Sequence, residues 1–460
     1  MGSLSEDLSK FAVGVAIGPE LYDRARLSFA DALIAILSAR KLPAGLSCAE
    51  YMKARSSDIS GPAREFATLT ATSVENAAFV NGTLAHGDET DDTNETARMH
   101  PGCSIVPAAM AAAEAAGASF GELLAAIIVG YDVGAAVNLS TWNDRRTMRM
   151  SVMSTHHIGG LFGSVGALLR LRKASIDVGR RAIAYAVQHA GGCMTCMTDT
   201  EHTEKAVTFG GLPARSALFS CELAEQGFST CLDPFSGHDS FYNAFGIRGD
   251  AEIARNRLRE VGCAMTETSI KRYPVGMPIQ AACQAIEQLV GYGKTARPDS
   301  VLVELPAERV GIVDGRSMRD ISLHHVMALQ LTTGKVDFGA LHDLGPASPA
   351  VSELAKRIRL VGSKELDVDV NGFGTTLVAR VTLTDKGRET STVVAWPTGS
   401  PRNPIGWEGM ERKAVEVLTA CGWQSEAAAG FARLILTADL HTPTPQIMAS
   451  ITRLAAAARH

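Results

Sequence analysis

The densest group of polar side chains in the sequence lies between His86 and Thr93, and His100 follows shortly after it. Five ionisable side chains fall within the seven residues from 86 to 92, in a stretch that interrupts otherwise apolar sequence. Carboxylates and imidazoles this close together could transfer protons near neutral pH, and the same residue types could bind a divalent metal ion. A solvated loop that caps the neighbouring helices is the structural alternative. The residues alone leave these interpretations open.

Four further segments place a cationic or titratable side chain beside glycine or apolar sequence. His157 precedes Gly159–Gly163, where a histidine could contact an anion or move a proton. A close helix crossing, for which glycine is typical, is the alternative. Lys205 and Lys271 could each bind a carboxylate, although isolated lysines usually lie at the surface. His325, the second histidine of a pair, begins an apolar segment, and a partly buried helix start is the plainer interpretation there.

The first half of the chain is predicted to be helical, because its apolar residues recur at helical spacing. The predicted helices cover residues 21–37, 73–84, 105–116, 120–137, 158–171, 176–189 and 213–226. Strand-like alternation becomes common only after residue 296. Residues 376–384 and 389–396 alternate around Asp385–Gly387, which predicts a β-hairpin, and helices return over residues 410–420 and 425–436. We therefore predict a mainly α protein, with residues 1–267 and 403–460 forming a large all-helical domain and residues 268–402 a smaller inserted α+β domain.

Composition narrows the class of protein. The 460 residues exceed what one core usually serves, which favours two domains. A net charge of −5 without a basic segment argues against a nucleic-acid partner. Residues 1–20 lack the layout of a signal peptide, and apolar segments such as Leu123–Val129 are too short to span a bilayer, so we expect a cytoplasmic protein without a membrane partner. Nine cysteines, an odd number, argue against a disulfide framework, and we expect Cys193 and Cys196 to be small buried residues.

In this order, the segments resemble the MmgE/PrpD family, which includes 2-methylcitrate dehydratase, cis-aconitate decarboxylase and iminodisuccinate epimerase. The matching stretches are Ala77–His86, Asp91–Thr93, His100–Gly102, His157–Gly166, Lys205–Arg215, Lys271–Pro274 and Gly399–Pro404. The resemblance spans nearly the whole chain. It implies a large all-helical domain with a smaller inserted α+β lid domain, a homodimer, and chemistry that needs no cofactor and no metal.

The resemblance to the decarboxylase branch also implies a set of site residues. The family's threonine, two histidines and two lysines fall on Thr93, His100, His157, Lys205 and Lys271.

Four departures fall in the same region as these residues. Glu89 stands where the family has aspartate, and His325 where it has tyrosine. One extra residue lies between Thr93 and His100, and Thr208 replaces a histidine often found three residues after the first lysine.

The implied chemistry is stabilisation of negative charge beside a carboxylate while a bond to carbon breaks. Lys205, Lys271 and His100 would bind the carboxylates of a small polycarboxylate substrate, and Thr93 would support that binding. His157 would be the general acid or base. Glu89 or Asp91 would orient a histidine or act as the partner acid, and His325 would transfer the proton that tyrosine transfers elsewhere.

Three functional hypotheses follow from this. The first is a lyase that dehydrates or decarboxylates a di- or tricarboxylate. The second is an isomerase or epimerase that removes and returns an α-proton, and the third is a non-catalytic anion-binding relative.

Overall fold

The structure is a computed structural model, and the residues it describes fall into two compact units. The described residues are 2–55, 60–142, 148, 151–245, 248–343, 345–366 and 377–458. The first unit comprises Met1–Gly87, Asp91–Thr268 and Gly430–His460, and the second comprises Asp88–Thr90 and Ser269–Ala429. The units differ from the predicted domain boundaries in three places. Residues 88–90 and residues 403–429 group with the second unit and Thr268 groups with the first, because their contacts lie mainly there.

Where the structure describes the chain, the first unit consists of helices and three very short strands that lie wholly within it. Its helices before residue 190 are α1 (Leu4–Gly14), α2 (Leu21–Ser38), α3 (Pro43–Lys53), α4 (Val74–Ala85), α5 (Gly102–Ala116), α6 (Phe120–Thr141), α7 (Thr155–Leu171) and α8 (Ile176–His189). The helices that follow are α9 (Thr203–Ala206), α10 (Leu212–Glu225), α11 (Phe241–Ala244), α12 (Ala251–Arg257) and α13 (Cys263–Thr266). The strands are β1 (Ala63–Arg64), β2 (Ala71–Thr72) and β3 (Thr93–Asn94). A fourth, β4 (Thr268–Ser269), lies where the chain passes to the second unit.

Local capping signals begin several of these helices where the sequence predicts. The Ser73 side chain accepts a hydrogen bond from the Asn76 amide at the start of α4. Ser119 and Glu122 form a reciprocal capping box at the start of α6, which satisfies amides that have no partner inside the helix. The helix predicted from residue 105 begins three residues earlier, so Pro107 lies inside α5 rather than in its first turn.

Close packing of α6 against α7 depends on small residues. A Cβ atom on Gly134 would lie 2.4 Å from the backbone oxygen of Gly159, and one on Gly163 would lie 2.7 Å from the oxygen of Gly130. Both distances are too short for carbon and oxygen, so only glycine permits this crossing. The glycines after His157 therefore serve the helix crossing that was the structural alternative.

A π-helical segment, Val207–Gly211, joins α9 to α10 without a break. The Leu212 amide donates to the Val207 carbonyl, which is the i to i+5 spacing of a π-helix. Such segments are rare in proteins, but those that occur often lie at functional sites. The backbone of Gly210 approaches α4 so closely that a Cβ atom there would lie 1.9 Å from the Gly82 oxygen.

The second unit contains a four-stranded sheet covered by helices. Its strands are β5 (Ser300–Pro306), β6 (Ile358–Ser363), β7 (Ala379–Asp385) and β8 (Arg388–Val394), in the order β6-β5-β7-β8, with only the β5–β6 pair parallel. Its helices are α14 (Gln280–Val290), α15 (Ala307–Val313), α16 (Leu323–Thr333), α17 (Phe338–Leu341), α18 (Pro349–Ala355) and α19 (Trp407–Ala420). Helix α20 (Ser425–Thr437) begins here and continues into the first unit, which ends with α21 (Thr444–Ala457).

The predicted hairpin is present as β7 and β8. Lys386 and Gly387 both have positive φ values, 49° and 75°, in the two-residue turn that matches strand twist. The prediction of a mainly α protein is confirmed. That the second unit acts as a lid stays a prediction.

One helix among the described residues, α6, is long and apolar enough to cross a bilayer, although the segment Leu123–Val129 within it is too short to do so alone. The bent pair formed by Leu21–Lys41 and α3 would add a second if taken as one span. Of the most apolar window in α6, 94% is buried inside the protein, which is also the property of a core helix.

We expect Gly134→Ala to lower the free energy of unfolding by about 1–3 kcal/mol, because the added methyl group forces α6 and α7 apart. Gly430→Ala is the matched control, since its Cβ atom meets nothing within 4 Å and alanine favours the interior of α20. Urea unfolding followed by circular dichroism measures both. Equal stability of Gly134→Ala and the unmodified protein would show that the crossing is not tightly packed.

Candidate active site

The carboxylate of Asp91 lies between two imidazole rings. One of its oxygens, Oδ2, is 2.9 Å from Nδ1 of His86 and 3.3 Å from Nδ1 of His100. His86 ends α4 and is fully buried, and this burial lowers its pKa to about 4 although Asp91 opposes the shift. The imidazole of His86 is therefore neutral near pH 7. Asp91 thus orients both rings.

The tautomer of His100 follows from its neighbours. Its Nδ1 is also 2.7 Å from the backbone oxygen of Asp92 and 3.3 Å from the Thr93 hydroxyl. A carbonyl oxygen can only accept a hydrogen bond, so Nδ1 of His100 carries a proton. In the neutral ring, Nε2 then holds the lone pair and can accept a proton, which is the geometry of an oriented general base.

Phe209, in the π-helical segment, packs against a group of histidine rings. His156 stacks on it with centroids 4.1 Å apart and an interplanar angle of 10°. His156 also stacks on His100 at 4.8 Å, and His86 lies 5.0 Å from Phe209. Burial lowers the pKa of His156 well below its usual range, so this ring is neutral as well. His202 completes the group, with its ring 5.1 Å from that of His86.

Lys205 adds a cation to this group of rings. Its ammonium lies 5.6 Å from the centre of the Phe209 ring, within the range of a cation–π interaction, and the residue is buried. Since His86 and His156 are neutral, Lys205 supplies positive charge in an environment where an anion is strongly attracted. The structure thus brings together Asp91, Thr93, His100 and Lys205 among the residues predicted from sequence.

His157 is placed differently from its neighbour His156. Its Nδ1 is 3.0 Å from the Thr208 carbonyl oxygen and its Nε2 is 3.4 Å from that of His189. Both ring nitrogens therefore face acceptors, and burial lowers the pKa of the ring. A ring whose two nitrogens face carbonyl oxygens is suited to holding the backbone in place. It is less suited to accepting a proton from a ligand. The stacking with His100 is made by His156, which the sequence analysis did not select.

The loop before His100 is fixed by buried polar contacts. Tyr131 donates to one Asp92 oxygen at 2.6 Å and the Gly102 amide donates to the other at 2.9 Å. Burial raises the pKa of Asp92 to about 7. Asn94 and Met99 exchange two backbone hydrogen bonds across the segment that carries the extra residue, where Arg98 has a φ of 49°.

One group in the first unit could hold a metal ion. A nitrogen of His86, an oxygen of Asp91 and the sulfur of Cys103 lie within 4.8 Å of one another, and all three residues are buried. Three such ligands would suit a borderline ion such as Zn²⁺. The Cys103 thiol, however, donates to the His100 carbonyl at 3.1 Å, and Nδ1 of His86 is engaged with Asp91. Both groups thus have partners without a metal, and the expected absence of a metal stays a prediction.

In the second unit, two buried lysines bind the turn Asp88–Thr90. The Lys271 ammonium donates to the Glu89 carbonyl at 3.0 Å and lies 3.2 Å from a Glu89 carboxylate oxygen. Lys413 donates to the Thr90 carbonyl at 2.8 Å. The Ile270 amide donates to the Gly399 carbonyl, so the segment that begins at Gly399 supports the backbone beside Lys271.

His342 forms a third cationic contact with this turn. Its Nε2 is 3.5 Å from an Asp88 oxygen and 3.8 Å from an Asp320 oxygen, while Nδ1 donates to the Phe338 carbonyl. Burial alone would lower its pKa, but Asp320 and Asp88 raise the pKa to about 9. His342 is therefore an imidazolium near pH 7.

His325 lies at the start of α16 and is half-buried. Burial, with a smaller contribution from Arg319, lowers its pKa to about 4. Its Nε2 atom is buried without a hydrogen-bond partner among the described residues. The ring can accept a proton or a hydrogen bond there.

Comparison with known families matches this chain in two adjoining segments. The model of the MmgE/PrpD N-terminal domain matches residues 6–254, and that of the MmgE/PrpD C-terminal domain matches residues 273–433. These matches cover most of the sequence. The protein belongs to the MmgE/PrpD family, as its motifs indicated.

Among curated proteins, three similar sequences carry related names. The cis-aconitate decarboxylase-like protein oryM of Aspergillus oryzae is 24% identical over 361 residues, which cover 70% of this chain and 71% of that protein. The human cis-aconitate decarboxylase is 27% identical and the mouse enzyme 26% identical, and each match covers 62% of this chain. The matched region spans 60% of the length of the human and mouse enzymes.

We expect His342 to make stability depend on pH. The histidine pKa is about 6.5 in an unfolded chain, so the imidazolium stabilises the folded state fully below that pH and progressively less as pH rises to about 9. Unfolding by urea, followed by tryptophan fluorescence, should lose up to about 3 kcal/mol over this range, and His342→Gln should flatten the loss. His324→Gln, in the same unit, is the control. Equal pH dependence in all three proteins would contradict the role of His342.

Proposed function

We propose that this protein is a cofactor-independent lyase that dehydrates or decarboxylates a small di- or tricarboxylate. Membership of the MmgE/PrpD family and the names of the curated relatives support this class of reaction. The proposal does not depend on any one relative's substrate, because the identities lie between 24% and 27%. Action as a homodimer in the cytoplasm remains part of the same prediction.

The observation that carries the proposal is the sharing of one Asp91 oxygen by two histidines. Asp91 and the Asp92 carbonyl hold the proton of His100 on Nδ1, so that Nε2 is the atom that exchanges a proton with the substrate. Removing or returning a proton at a carbon beside a carboxylate requires a base that is held within reach of that proton. His100 thus moves from the substrate-binding role assigned by resemblance to the proton-transfer role.

Lys205 binds a substrate carboxylate in this proposal. A buried ammonium beside neutral rings attracts an anion and stabilises the negative charge that develops when a bond to carbon breaks. Thr93 lies next to His100 and can donate a hydrogen bond to the same ligand. In this proposal His100 supplies the base and Lys205 supplies the positive charge, so neither task requires a bound cofactor.

The second unit contributes Lys271, Glu89 and His325 to the proposal. Lys271 and Glu89 form a buried ion pair, which can exchange its partner for an anionic ligand or move a proton. His325 stands where the family has a tyrosine. Because its pKa is about 4, its imidazole ring is neutral near pH 7. The proton that this residue can donate is therefore on a ring nitrogen instead of on a phenol oxygen.

We expect adjacent histidines to differ in their effect on turnover. His100→Asn and His156→Asn should each reduce turnover by at least ~100-fold, because they remove the base and the ring stacked on it. His157→Asn should reduce turnover less, since that side chain can still donate to the Thr208 carbonyl. His238→Asn, at an exposed site, is the control. A large loss in His157→Asn alone would restore the role assigned to it by resemblance.

The assay is an NMR screen in D2O of citrate, 2-methylcitrate, cis-aconitate and iminodisuccinate, with and without a chelator. Loss of water or CO2 from one substrate supports the lyase. Deuterium exchange without either loss supports the isomerase, and binding by calorimetry without turnover supports a non-catalytic relative. Activity that a chelator abolishes would contradict chemistry without a metal.

We expect Lys271→Met to reduce turnover by at least ~100-fold and Lys413→Met to reduce it far less. Both lysines are buried and donate to backbone oxygens of the turn Asp88–Thr90, and the Lys271 ammonium also lies 3.2 Å from the Glu89 carboxylate. The pair therefore separates a chemical role from support of the turn. Equal losses in the two variants, with equal thermal stability, would assign Lys271 a structural role only.

A further inference from the structure

Two cysteines lie one turn apart beside the candidate site. Cys193 precedes a 3-10 helix, Met194–Thr198, and Cys196 lies within it. The Cys196 amide is 3.4 Å from the Cys193 carbonyl oxygen. In a 3-10 helix, which has about three residues per turn, positions i and i+3 lie on the same face. Cys193 caps this helix from an extended backbone conformation, so the turn brings the two Cα atoms close together, and both thiols are free.

The two thiols differ in exposure, contrary to the prediction that both are buried. Cys193 is exposed, and hydrogen bonds from the Thr195 amide and hydroxyl lower its pKa. Cys196 is only 1% exposed, and burial raises its pKa. An exposed thiol that ionises readily beside a buried thiol that does not is the arrangement of an attacking and a resolving cysteine.

The buried cysteine contacts the candidate site. The Thr208 hydroxyl makes a hydrogen bond to the Cys196 thiol, and Lys205 interacts with it electrostatically. The same segment is tied to the chain that enters α7, because the Met194 amide donates to the Val152 carbonyl at 2.9 Å. A change at Cys196 therefore reaches the proposed carboxylate-binding lysine.

We propose that Cys193 and Cys196 form a peroxide-sensitive dithiol whose disulfide weakens carboxylate binding at Lys205. The geometry permits this bond, since residues i and i+3 of a 3-10 helix are about 6 Å apart and disulfides join Cα atoms about 4.4–6.8 Å apart. The first part of the proposal concerns the dithiol alone. The effect on binding rests on the proposed function.

The reaction consumes one peroxide molecule. The Cys193 thiolate attacks a peroxide oxygen, so that an S–O bond forms, the O–O bond breaks and hydroxide leaves with the proton lost by the thiol, as water. The sulfur of Cys196 then attacks the sulfenic sulfur of Cys193. An S–S bond forms, the S–O bond breaks, and the proton of Cys196 leaves with the hydroxide as a second water. Two thiols are oxidised and the peroxide is reduced.

The consequence for the site follows from the contacts of Cys196. Bonding the Cys196 sulfur to Cys193 at about 2.0 Å draws it away from the Thr208 hydroxyl that donates to it, and the turn must shift toward the exposed cysteine. The electrostatic interaction of the Cys196 sulfur with Lys205 changes with this shift. We expect the KM for the carboxylate substrate to rise about tenfold, because a displaced Lys205 binds the carboxylate less tightly, with a smaller change in kcat.

The test uses peptide mass spectrometry of the full chain after treatment with dilute hydrogen peroxide. We expect the peptide that contains both cysteines to lose two hydrogens and a thiol reductant to restore them. Cys193→Ser should abolish the change, and Cys196→Ser should leave a sulfenic acid at Cys193 that a cyclic dione traps. Cys231→Ser, at another exposed cysteine, should behave as the unmodified protein.

Two outcomes would overturn the proposal. If Cys231 is oxidised while Cys193 and Cys196 remain thiols, the dithiol does not exist as a reactive unit. If the disulfide forms but the KM of an active preparation is unchanged, the disulfide has no effect on the site. The mass measurement needs no turnover, so failure of the proposed lyase activity would be recognised separately from failure of the dithiol.

Discussion

A single buried carboxylate oxygen, on Asp91, faces the protonated nitrogens of two histidines, and much of the first unit serves this arrangement. A carboxylate removed from water must be fully hydrogen-bonded, or the cost of burying it destabilises the fold. Helix α4 ends at His86 so that the ring can turn toward Asp91, and Asp92 begins the path to α5. The hydrogen bonds that stabilise the buried charge of Asp91 also determine which nitrogen of His100 is available to exchange a proton with a ligand. Stability and reactivity thus depend on the same bonds.

Residues that are neighbours in sequence belong to different units here. Asp88–Thr90 groups with the second unit, although Gly87 and Asp91 on either side group with the first. Two buried lysines, Lys271 and Lys413, and the half-buried imidazolium of His342 bind this turn within the second unit. The replacement of the family's aspartate by Glu89 therefore acts on an ion pair of the second unit, while Asp91 acts on the histidines of the first. A motif that is continuous in sequence divides into two sets of contacts.

Sequence predicted best what is decided locally. The helix starts at Ser73 and Ser119 and the turn at Lys386 follow from capping and turn chemistry, which depend on a few adjacent residues. Family motifs identified Asp91, His100 and Lys205, which the structure groups within the first unit. Other features depend on packing partners far along the chain. Nothing local distinguishes His156 from His157, because one residue of helix rotation decides which ring stacks on Phe209.

The remaining differences have the same origin. Lys413 has the sequence environment of a surface lysine, yet it is buried against a turn more than 300 residues away. Cysteines are usually buried, and Cys193 was predicted to be so. Backbone pairing with the chain before α7 instead holds it at the surface. Long-range contacts of this kind leave no periodic signal in the chain.

The π-helical segment Val207–Gly211 makes the site sensitive to chain length as well as to residue type. A π turn contains about one residue more than an α turn, so it changes the angular phase of every side chain before it relative to α10. Loss of one residue would return the segment to α-helical phase and rotate Lys205 by roughly 100° about the helix axis. In evolution, therefore, a substitution at a position in this segment that tolerates one can change which ligand is bound. A single insertion or deletion, in contrast, would separate Lys205 from the histidines in one step.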